Sequence, residues 1–259
     1  MDKRLFMESI KTILITQART GSTRLPAKVL LKVNGDELLK IHVERLNKCR
    51  LTDRVIVATT INEEDDVIVT LCKNWSVDTS RGSSDDVLDR FYQTAKEIQP
   101  EWVVRVTSDC PLLDPVVVDA VIAFAQINDV DYCSNTLIEN FPNGQDVEVF
   151  KFSALEKAWK GATLKSEREH VTPYIRKNSK FNGGDLFTAV NFPCMYDFHD
   201  IRMTVDMAPD FELVKRLIVD LGTDKTWLSY TNHIINNHLQ QINAHIKRNE
   251  GLLKSLKND

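Results

Sequence analysis

The sequence predicts an α/β protein: a mostly parallel sheet covered by helices on both faces, forming three layers. Two observations carry this prediction. The first half of the 259-residue chain alternates short apolar runs with segments of helical spacing, which is typical of strand–helix–strand units in a parallel sheet. Its apolar runs are continuous and rich in Val and Ile, as expected for strands that are buried on both faces.

The first half contains three such strands, each followed by a helical segment. The strands are predicted at residues 12–17 (TILITQ), 54–59 (RVIVAT) and 102–107 (WVVRVT). The helices are predicted at residues 37–50, 63–74 and 85–98, because apolar side chains recur there at helical spacing. Ser84 or Asp85 is the expected N-cap of the third helix.

The second half loses this alternation. GQDVEVF (144–150) alternates apolar and acidic residues and predicts a half-exposed strand. Further strands are predicted at 186–192 and 201–205, and helices at 153–162, 165–178, 209–221 and 226–248. We interpret this as one domain over residues 1–259, in which an inserted lobe at about 136–200 precedes a return to the sheet at residue 201. A C-terminal helical segment is expected at about 226–259.

The composition excludes several classes of protein. A formal net charge of −4 argues against a broad surface for nucleic acid or anionic membrane. Five scattered cysteines without a CxxC pair fit neither a disulfide framework nor a zinc site. No stretch approaches the ~20 apolar residues that span a bilayer, and Glu8 and Lys11 interrupt any signal-peptide core. We therefore expect a soluble, cytoplasmic protein.

The loop after the first strand concentrates positive charge in this mildly acidic chain. TQARTGSTRLPAKVL (16–30) places Arg19, Arg24 and Lys28 within ten positions. Gly21, Ser22 and Thr23 offer backbone N–H donors, and guanidinium groups bind phosphate oxygens in a bidentate manner. The pattern favours a triphosphate as the ligand of this loop.

Carboxylates follow two other predicted strands. Asp109 comes directly after residues 102–107, and Asp206 directly after 201–205. Ligands of open α/β sheets bind beyond the carboxyl ends of the strands, so these groups are expected to meet the cationic loop in one crevice. Mg²⁺ is commonly held by one or two carboxylates together with phosphate oxygens, and Mg²⁺ is therefore the expected cofactor.

Simpler interpretations of each signal stay open at this point. A loop with three cations is often solvated surface, and an Asp at a strand end is often a turn former or a helix cap. The sequence has no GxxxxGK loop and no GxGxxG after a strand, which removes the main support for a P-loop or dinucleotide-binding protein. It also has neither a GxSxG elbow nor an HExxH helix.

Several longer motifs resemble those of a known family. QARTGSTRLPAKVL is similar to the signature loop of cytidylyltransferases that make CMP-activated sugars, a group that includes CMP-ketodeoxyoctonate and CMP-acylneuraminate synthetases. The branch resembled most is that of the spore-coat polysaccharide biosynthesis protein F-like enzymes. The resemblance continues through RGSSDDVLDRFYQTA (81–95), RVTSDCPLLDP (105–115), DYCSN (131–135), PNGQDVEVF (142–150), EREHVTPYI (167–175), RMTVDMAPDF (202–211) and RNEGLLKSL (248–256).

The resemblance implies a nucleotidyltransferase of glycosyltransferase-A-like fold, dimeric through the inserted lobe. It implies in-line attack of a sugar oxygen on the α-phosphorus of CTP, with release of pyrophosphate. By similarity, the catalytic residues are Arg19, Lys28, Asp109 and Asp206, and the last two also hold the metal. The implied nucleotide-binding residues are Gln17, Arg19, Gly21, Ser22, Arg24, Lys28, Arg81, Ser83 and Ser108. The implied acceptor-binding residues are Glu148, Glu169 and His170.

Three points stay open. Ala27 stands where the family loop commonly has Gly, and its methyl group is expected to fit if the backbone φ is negative. His170 is a candidate general base or a simple hydrogen-bonding group of the lobe. The alternatives to a cytidylyltransferase are a glycosyltransferase of the same fold, although no DxD motif ends a strand, and a catalytically silent nucleotide-binding protein.

Overall fold

A computed structural model of the chain describes residues 10–257 and Asp259. The prediction that the N-terminus lacks a signal peptide concerns residues 1–16, and residues 1–9 lie outside the described part. Within the described part, no helix is both long and apolar enough to cross a membrane. All five cysteines have free thiols.

The centre of the molecule is a seven-stranded sheet, and a two-stranded hairpin lies apart from it. The hairpin is β2 (Lys32–Val33) and β3 (Asp36–Glu37). The sheet has the order β5-β4-β1-β6-β8-β7-β9, and only β8 runs against the others. Its strands are β1 (Thr12–Gln17), β4 (Arg54–Thr60), β5 (Asp78–Gly82), β6 (Trp102–Thr107), β7 (Tyr132–Ser134), β8 (Glu148–Lys151) and β9 (Ala189–Asn191). The predicted fold class is therefore confirmed.

Burial on both faces explains why β1 forms the middle of the sheet. Ile13, Leu14 and Ile15 are completely buried, with Ile13 and Ile15 in one apolar cluster and Leu14 in another. Such a strand gains apolar burial from the helices on either side. Gln17 at its end aligns with Thr107 of β6, so the loops after these two strands leave the sheet side by side.

Ten helices flank the sheet in the described residues. They are α1 (Leu38–Leu46), α2 (Asp66–Asn74), α3 (Val87–Lys96), α4 (Pro115–Asn128), α5 (Phe152–Gly161), α6 (Lys165–His170), α7 (Pro173–Lys177), α8 (Ala208–Leu221), α9 (Trp227–Asn236) and α10 (Glu250–Leu256). The N-cap of α3 is Asp86, whose carboxylate accepts from the N–H of Asp89 at 2.8 Å. The predicted caps, Ser84 and Asp85, were therefore wrong.

Four elements of the first half were not predicted from the sequence: the hairpin strands β2 and β3, the edge strand β5 and the helix α4. β5 is a polar strand at the sheet edge, where few apolar contacts are available, so its sequence lacks the Val and Ile signal. α4 begins with the β-branched run Val116–Val118. Its helical form follows from Pro115 at the first helical position and from Asp114, whose carboxylate accepts from the N–H of Val116 at 2.9 Å.

Residues 201–205 do not form the predicted strand. Within the described residues this segment makes a single bridge, between Arg202 and Asn143. It lies instead against the turn after β6, because the N–H of Val205 donates to the carbonyl oxygen of Asp109 at 2.7 Å. Asp206 thus reaches the carboxyl edge of the sheet without following a strand.

Three further predictions differ in detail. Residues 165–178 form two helices, because Val171 has a positive φ of 70° and Pro173 begins the second helix. The helix predicted at 226–248 ends at Asn236, two residues before His238 adopts a left-handed conformation. The strand predicted at 144–150 begins only at Glu148, as β8, and this strand is mostly buried rather than half exposed. β8 and β9 belong to the main sheet, and the lobe boundaries of 136–200 stay a prediction.

Candidate functional site

A cavity of about 820 Å³ opens at the carboxyl edge of the sheet. Its walls come from the loop after β1, the turn after β6, the segment before β8, residues 202–207, the α6–α7 region and residues 249–255. Most of the residues implied by the family resemblance line it: Gln17, Arg19, Ser22, Arg24, Lys28, Ser108, Asp109, Glu148, Glu169, His170 and Asp206. The tertiary structure therefore brings together side chains that are up to 189 positions apart, from Gln17 to Asp206.

The loop after β1 is held in place by a carboxylate outside the cavity lining. Asp65 accepts from both the backbone N–H and the hydroxyl of Thr20, at 2.7 and 2.8 Å. Burial alone would raise the pKa of Asp65, but hydrogen bonds from Thr60 and Thr20 outweigh burial and lower it. Ala27 closes the loop by donating its N–H to the carbonyl oxygen of Thr20 at 2.9 Å. Ala27 has a φ of +50°, so the condition under which its methyl group was expected to fit, a negative φ, is not met.

Lys28 links the two acidic positions. Its ammonium donates to Asp109 Oδ2 at 2.8 Å and to Asp206 Oδ1 at 2.7 Å. Burial alone would lower the pKa of Lys28, but the two carboxylates raise it above its ordinary value. In turn, burial would raise the pKa of Asp109, but Lys28 lowers it. Both groups are therefore charged at neutral pH.

Asp206 is also oriented by two guanidinium groups. Arg24 lies 3.1 Å from its Oδ1, and Arg202 donates to its Oδ2 at 3.2 Å. Arg202 is itself fixed by the buried Asp210, which accepts from its Nε at 2.8 Å. Asp210 also accepts from the backbone N–H of Asp206 at 3.0 Å. These contacts order the start of α8 and fix the direction in which Asp206 points.

A buried histidine supports the turn that carries Asp109. His42 Nδ1 lies 2.9 Å from the carbonyl oxygen of Cys110, and its Nε2 lies 3.0 Å from Thr16 Oγ1. Burial lowers the pKa of His42 to about 4, so the imidazole is neutral at pH 7. The neutral ring joins β1 to the turn after β6 without bringing a charge into the core.

The acidic pair fits a divalent cation that is shared with a polyphosphate. In the described residues, no group of three or more His, Cys, Asp or Glu side chains is arranged to hold a metal ion on its own. Mg²⁺ requires only one or two carboxylates when phosphate oxygens complete its coordination. Asp109 and Asp206 supply two, and the ammonium of Lys28 lies between them.

The wall opposite the cationic loop is built around Glu148, the first residue of β8. Its Oε1 accepts from Tyr132 Oη at 2.6 Å and from Thr172 Oγ1 at 2.5 Å, and its Oε2 accepts from Arg105. Burial would raise the pKa of Glu148, but Arg105 and Arg176 outweigh it and lower that pKa. Both carboxylate oxygens are thus engaged by protein donors, whereas the buried Nε of Arg105 has no partner among the described residues.

Glu169 and His170 lie at the rim of the same wall, against α10. Ser255 Oγ donates to Glu169 Oε2 at 2.7 Å and lies 3.1 Å from His170 Nε2. Burial and the nearby Arg105 lower the pKa of His170, which keeps the ring neutral at pH 7. In the described residues, the side chain of His170 has Ser255 of α10 as its hydrogen-bond partner.

Three implied nucleotide-binding residues do not line the cavity. Arg81 donates to the carbonyl oxygen of Thr60 at 2.8 Å and to Asp66 Oδ1 at 2.6 Å, at the edge of the sheet. Ser83 Oγ accepts from the N–H of Asp86 at 3.0 Å. Gly21 lies in the cationic loop but outside the cavity lining.

Several lining residues were missed from the sequence. They are Arg90, Arg105, Asp146, Lys165, Arg176, Arg202 and Lys254. Arg105 had a usable signal, because a cation within the apolar strand WVVRVT must find a partner when it is buried. Arg202 had a similar signal, because it stands in the segment IRMTV (201–205) that was predicted as a strand. The others lie in helices or loops where a charged side chain is ordinary, so the sequence offered no comparable signal.

The fold and this site together define a class of protein. The sheet is mostly parallel and is covered by helices on both faces. At its carboxyl edge a cationic loop faces two carboxylates, Asp109 and Asp206. This arrangement is that of a nucleotidyltransferase. The sequence model of the family described as cytidylyltransferase matches residues 13–247. The chain belongs to the cytidylyltransferase family.

Relatives of known sequence cover most of the chain. An uncharacterised protein of Methanocaldococcus jannaschii is 44% identical over 210 residues, which are 80% of this chain and 83% of the relative. The spore coat polysaccharide biosynthesis protein SpsF of Bacillus subtilis is 33% identical over 215 residues, covering 81% of this chain and 87% of the relative. The resemblance to the spore-coat branch is confirmed.

Solved structures share the fold. A cytidylyltransferase from Leptospira borgpetersenii superposes with a TM-score of 0.84 at 30% identity, covering 92% of this chain and 98% of that chain. A CMP:2-keto-3-deoxy-manno-octonic acid synthetase complexed with CTP has a TM-score of 0.59 at 14% identity and covers 81% of this chain and 99% of that chain. At that identity the second likeness concerns the fold alone.

Proposed function

We propose that this protein transfers CMP from CTP to an acidic or amino sugar, of the nonulosonic-acid kind or related to it, and releases pyrophosphate. The observation that carries the proposal is the position of Lys28. Its ammonium lies between Asp109 and Asp206 and lines the same cavity as Arg19 and Arg24. A triphosphate and a divalent cation are the ligands that match this alternation of charge.

The cationic loop serves the nucleotide. Arg19, Ser22, Arg24 and Lys28 bind the phosphate oxygens, while Gln17 and Ser108 lie at the ends of β1 and β6 beside them. Asp109 and Asp206 would hold Mg²⁺, which when bound would supply positive charge beside the reacting phosphates. The protein's own contribution is to align the reactants for in-line attack.

The opposite wall serves the acceptor. Arg105 and Arg176 line it, and the buried Nε of Arg105 has no hydrogen-bond partner in the part of the chain that the structure describes. A carboxylate on the acceptor would satisfy these donors, because guanidinium groups bind carboxylates with charge-assisted hydrogen bonds. In this arrangement Glu148 positions Arg105. Glu169 and His170 form the border of the cavity at its acceptor end. This chemistry supports an acidic sugar over a neutral one.

The biological setting is proposed from the relatives. The name of the Bacillus subtilis relative refers to spore coat polysaccharide biosynthesis, and we propose a role in the synthesis of a surface polysaccharide or glycan. We further propose a cytoplasmic homodimer in which the lobe at about 136–200 forms the contact between subunits. Sedimentation analysis of the purified protein tests the dimer.

The decisive experiment measures pyrophosphate release. CTP, UTP, ATP and GTP are each combined with Mg²⁺ and a panel of acidic, amino and neutral sugars. We expect release with CTP and an acidic or amino sugar, and none after chelation of the metal. Asp109→Ala and Asp206→Asn are expected to abolish release.

Three outcomes would contradict parts of this proposal. Folded Asp109→Ala or Asp206→Asn protein with unchanged activity would remove the metal assignment. Release with a nucleotide other than CTP would overturn the nucleotide assignment. Tight CTP binding without turnover on any sugar would favour the silent nucleotide-binding alternative.

A further inference from the structure

The carboxylates that line the cavity differ in how far the protein engages them. Asp109, Asp206 and Glu148 each have both oxygens in contact with protein donors. Asp146 has one oxygen engaged: Arg248 donates from Nη2 to its Oδ1 at 2.8 Å. Its side chain is 31% exposed and lines the cavity. Among these four, Asp146 is therefore the one with an oxygen that has no protein donor in the described residues. Glu169 in α6 and Glu250 in α10 also line the cavity with a free oxygen, but neither lies on the segments that carry Asp109 and Asp206.

The backbone around Asp146 is fastened to the segment that carries Asp206. The N–H of Asn143 donates to the carbonyl oxygen of Ile201 at 2.9 Å. The N–H of Met203 in turn donates to the carbonyl oxygen of Asn143 at 2.6 Å. Gly144 has a φ of +110° and lies so close to Met203 that an added Cβ would approach its carbonyl carbon to 2.8 Å. This close approach fixes the distance between the two segments.

The same stretch is fastened to the turn that carries Asp109. Gln145 donates from Nε2 to the carbonyl oxygen of Leu112 at 3.1 Å, and its Oε1 accepts from the N–H of Asp114 at 2.9 Å. Because Val205 also hydrogen-bonds to Asp109, the segments that carry Asp109, Asp146 and Asp206 form one hydrogen-bonded unit. Asp146 is thus held rigidly relative to the site where the α-phosphorus is proposed to react.

We propose that Asp146 is the general base that deprotonates the attacking hydroxyl of the acceptor, an inference that rests on the proposed function. The proton passes from the hydroxyl to the free oxygen of Asp146 as the acceptor oxygen bonds to the α-phosphorus of CTP. The bond from that phosphorus to the β-phosphate oxygen breaks, and pyrophosphate leaves with the electron pair. Asp146 then returns the proton to solvent through the open cavity.

The charges around Asp146 suit this role. Partial burial in the cavity wall raises the pKa of Asp146 to about 6, with Glu139, Glu148 and Asp109 adding to the increase and Arg248 opposing it. The group is therefore mostly ionised at pH 7, yet it is a stronger base than an exposed Asp. A general base works best when its pKa lies near the operating pH.

The test compares the wild type with Asp146→Asn, which keeps the shape of the side chain and removes the base. We expect kcat for pyrophosphate release to fall by about 10²- to 10⁴-fold, while calorimetry shows unchanged CTP binding. In the wild type, kcat/KM should rise with pH through a midpoint near 6. Arg248→Gln should move this midpoint to higher pH, because Arg248 lowers the pKa of Asp146.

Glu139→Gln is the matched control, since Glu139 also contacts Arg248, at 3.5 Å. We expect nearly unchanged kcat and a midpoint at slightly lower pH, because Glu139 raises the pKa of Asp146. Infrared titration of the free protein offers a readout without turnover: a carboxyl group titrating near 6 should be present in the wild type and absent in Asp146→Asn.

The outcomes separate the two proposals. If the wild type releases pyrophosphate but Asp146→Asn keeps a near wild-type kcat and the same fall of kcat/KM at acidic pH, Asp146 is not the general base. The proposed function is then left intact. A wild type that releases no pyrophosphate with any sugar overturns the proposed function and the base with it. Titration of Asp146 in the ordinary range of an exposed Asp also overturns the base.

Discussion

The backbone N–H of Val205 donates to the carbonyl oxygen of Asp109 at 2.7 Å, across 96 positions of sequence. This bond brings the segment before α8 against the turn after β6, although the segment is not a strand of the sheet. Thr204 strengthens the contact, because its hydroxyl donates to the same carbonyl oxygen at 3.1 Å. Asp109 and Asp206 are therefore positioned by hydrogen bonds between two segments that lie outside the sheet.

The first prediction concerns the cation between those carboxylates. Lys28→Met removes two charge-assisted hydrogen bonds, each worth about 1.5–3 kcal/mol, and weakens the hold on the triphosphate. We expect pyrophosphate release to fall by about 10- to 100-fold or more, in a steady-state assay with CTP and Mg²⁺. Lys32→Met is the control, because Lys32 pairs with Glu37 at 3.0 Å on the surface. Equal losses in both variants would contradict the role assigned to Lys28.

The second prediction concerns Gly144. Ala at this position combines a positive φ with a clash against the backbone of Met203 and Thr204. We expect a loss of about 2–5 kcal/mol in the free energy of unfolding, from backbone strain and overpacking together. Activity should also fall, because the segment that carries Asp206 is displaced. Chemical denaturation and the pyrophosphate assay measure these two effects.

Gly183→Ala separates strain from contact. Gly183 also has a positive φ, of +83°, but nothing lies within 4 Å of its would-be Cβ. We expect a loss of only about 1–2 kcal/mol from the left-handed backbone and unchanged activity. Identical behaviour of the two alanine variants would show that the close approach at Gly144 is unimportant.

The third prediction concerns acid sensitivity and His42. The pKa of this buried imidazole is about 4 in the folded protein, against an ordinary value of 6.5. Its contribution to stability is therefore fully present above pH 6.5 and is lost as the pH falls through 4, because the unfolded state binds the proton first. The loss is about 3 kcal/mol.

His42→Gln should flatten the decline in unfolding free energy between pH 6.5 and 4 by about that amount, as measured by denaturation at a series of pH values. His245→Gln, at an exposed position, should leave the wild-type decline unchanged. A variant at position 42 that keeps the full decline would show that other groups cause it.

Sequence patterns were sufficient where a residue's environment follows from its immediate neighbours in the chain. β1, β4 and β6 were found because strands covered on both faces must be apolar throughout. The cationic loop was found because its charges are adjacent in sequence. β5 was missed since an edge strand needs no such run, and the start of α4 was misleading since its cap overrides the preference of Val116–Val118.

By itself, the amino-acid sequence determined the α/β class, the central strands, the cationic loop and the family. Only the tertiary structure decided that Asp206 meets Lys28 without a strand before it, that Glu148 is enclosed by Arg105, Tyr132 and Thr172, and that Asp146 keeps one oxygen free. The physical reason is that these relationships depend on contacts between segments far apart in the chain. Local periodicity reports which face of an element is buried, but not which distant charge it will meet.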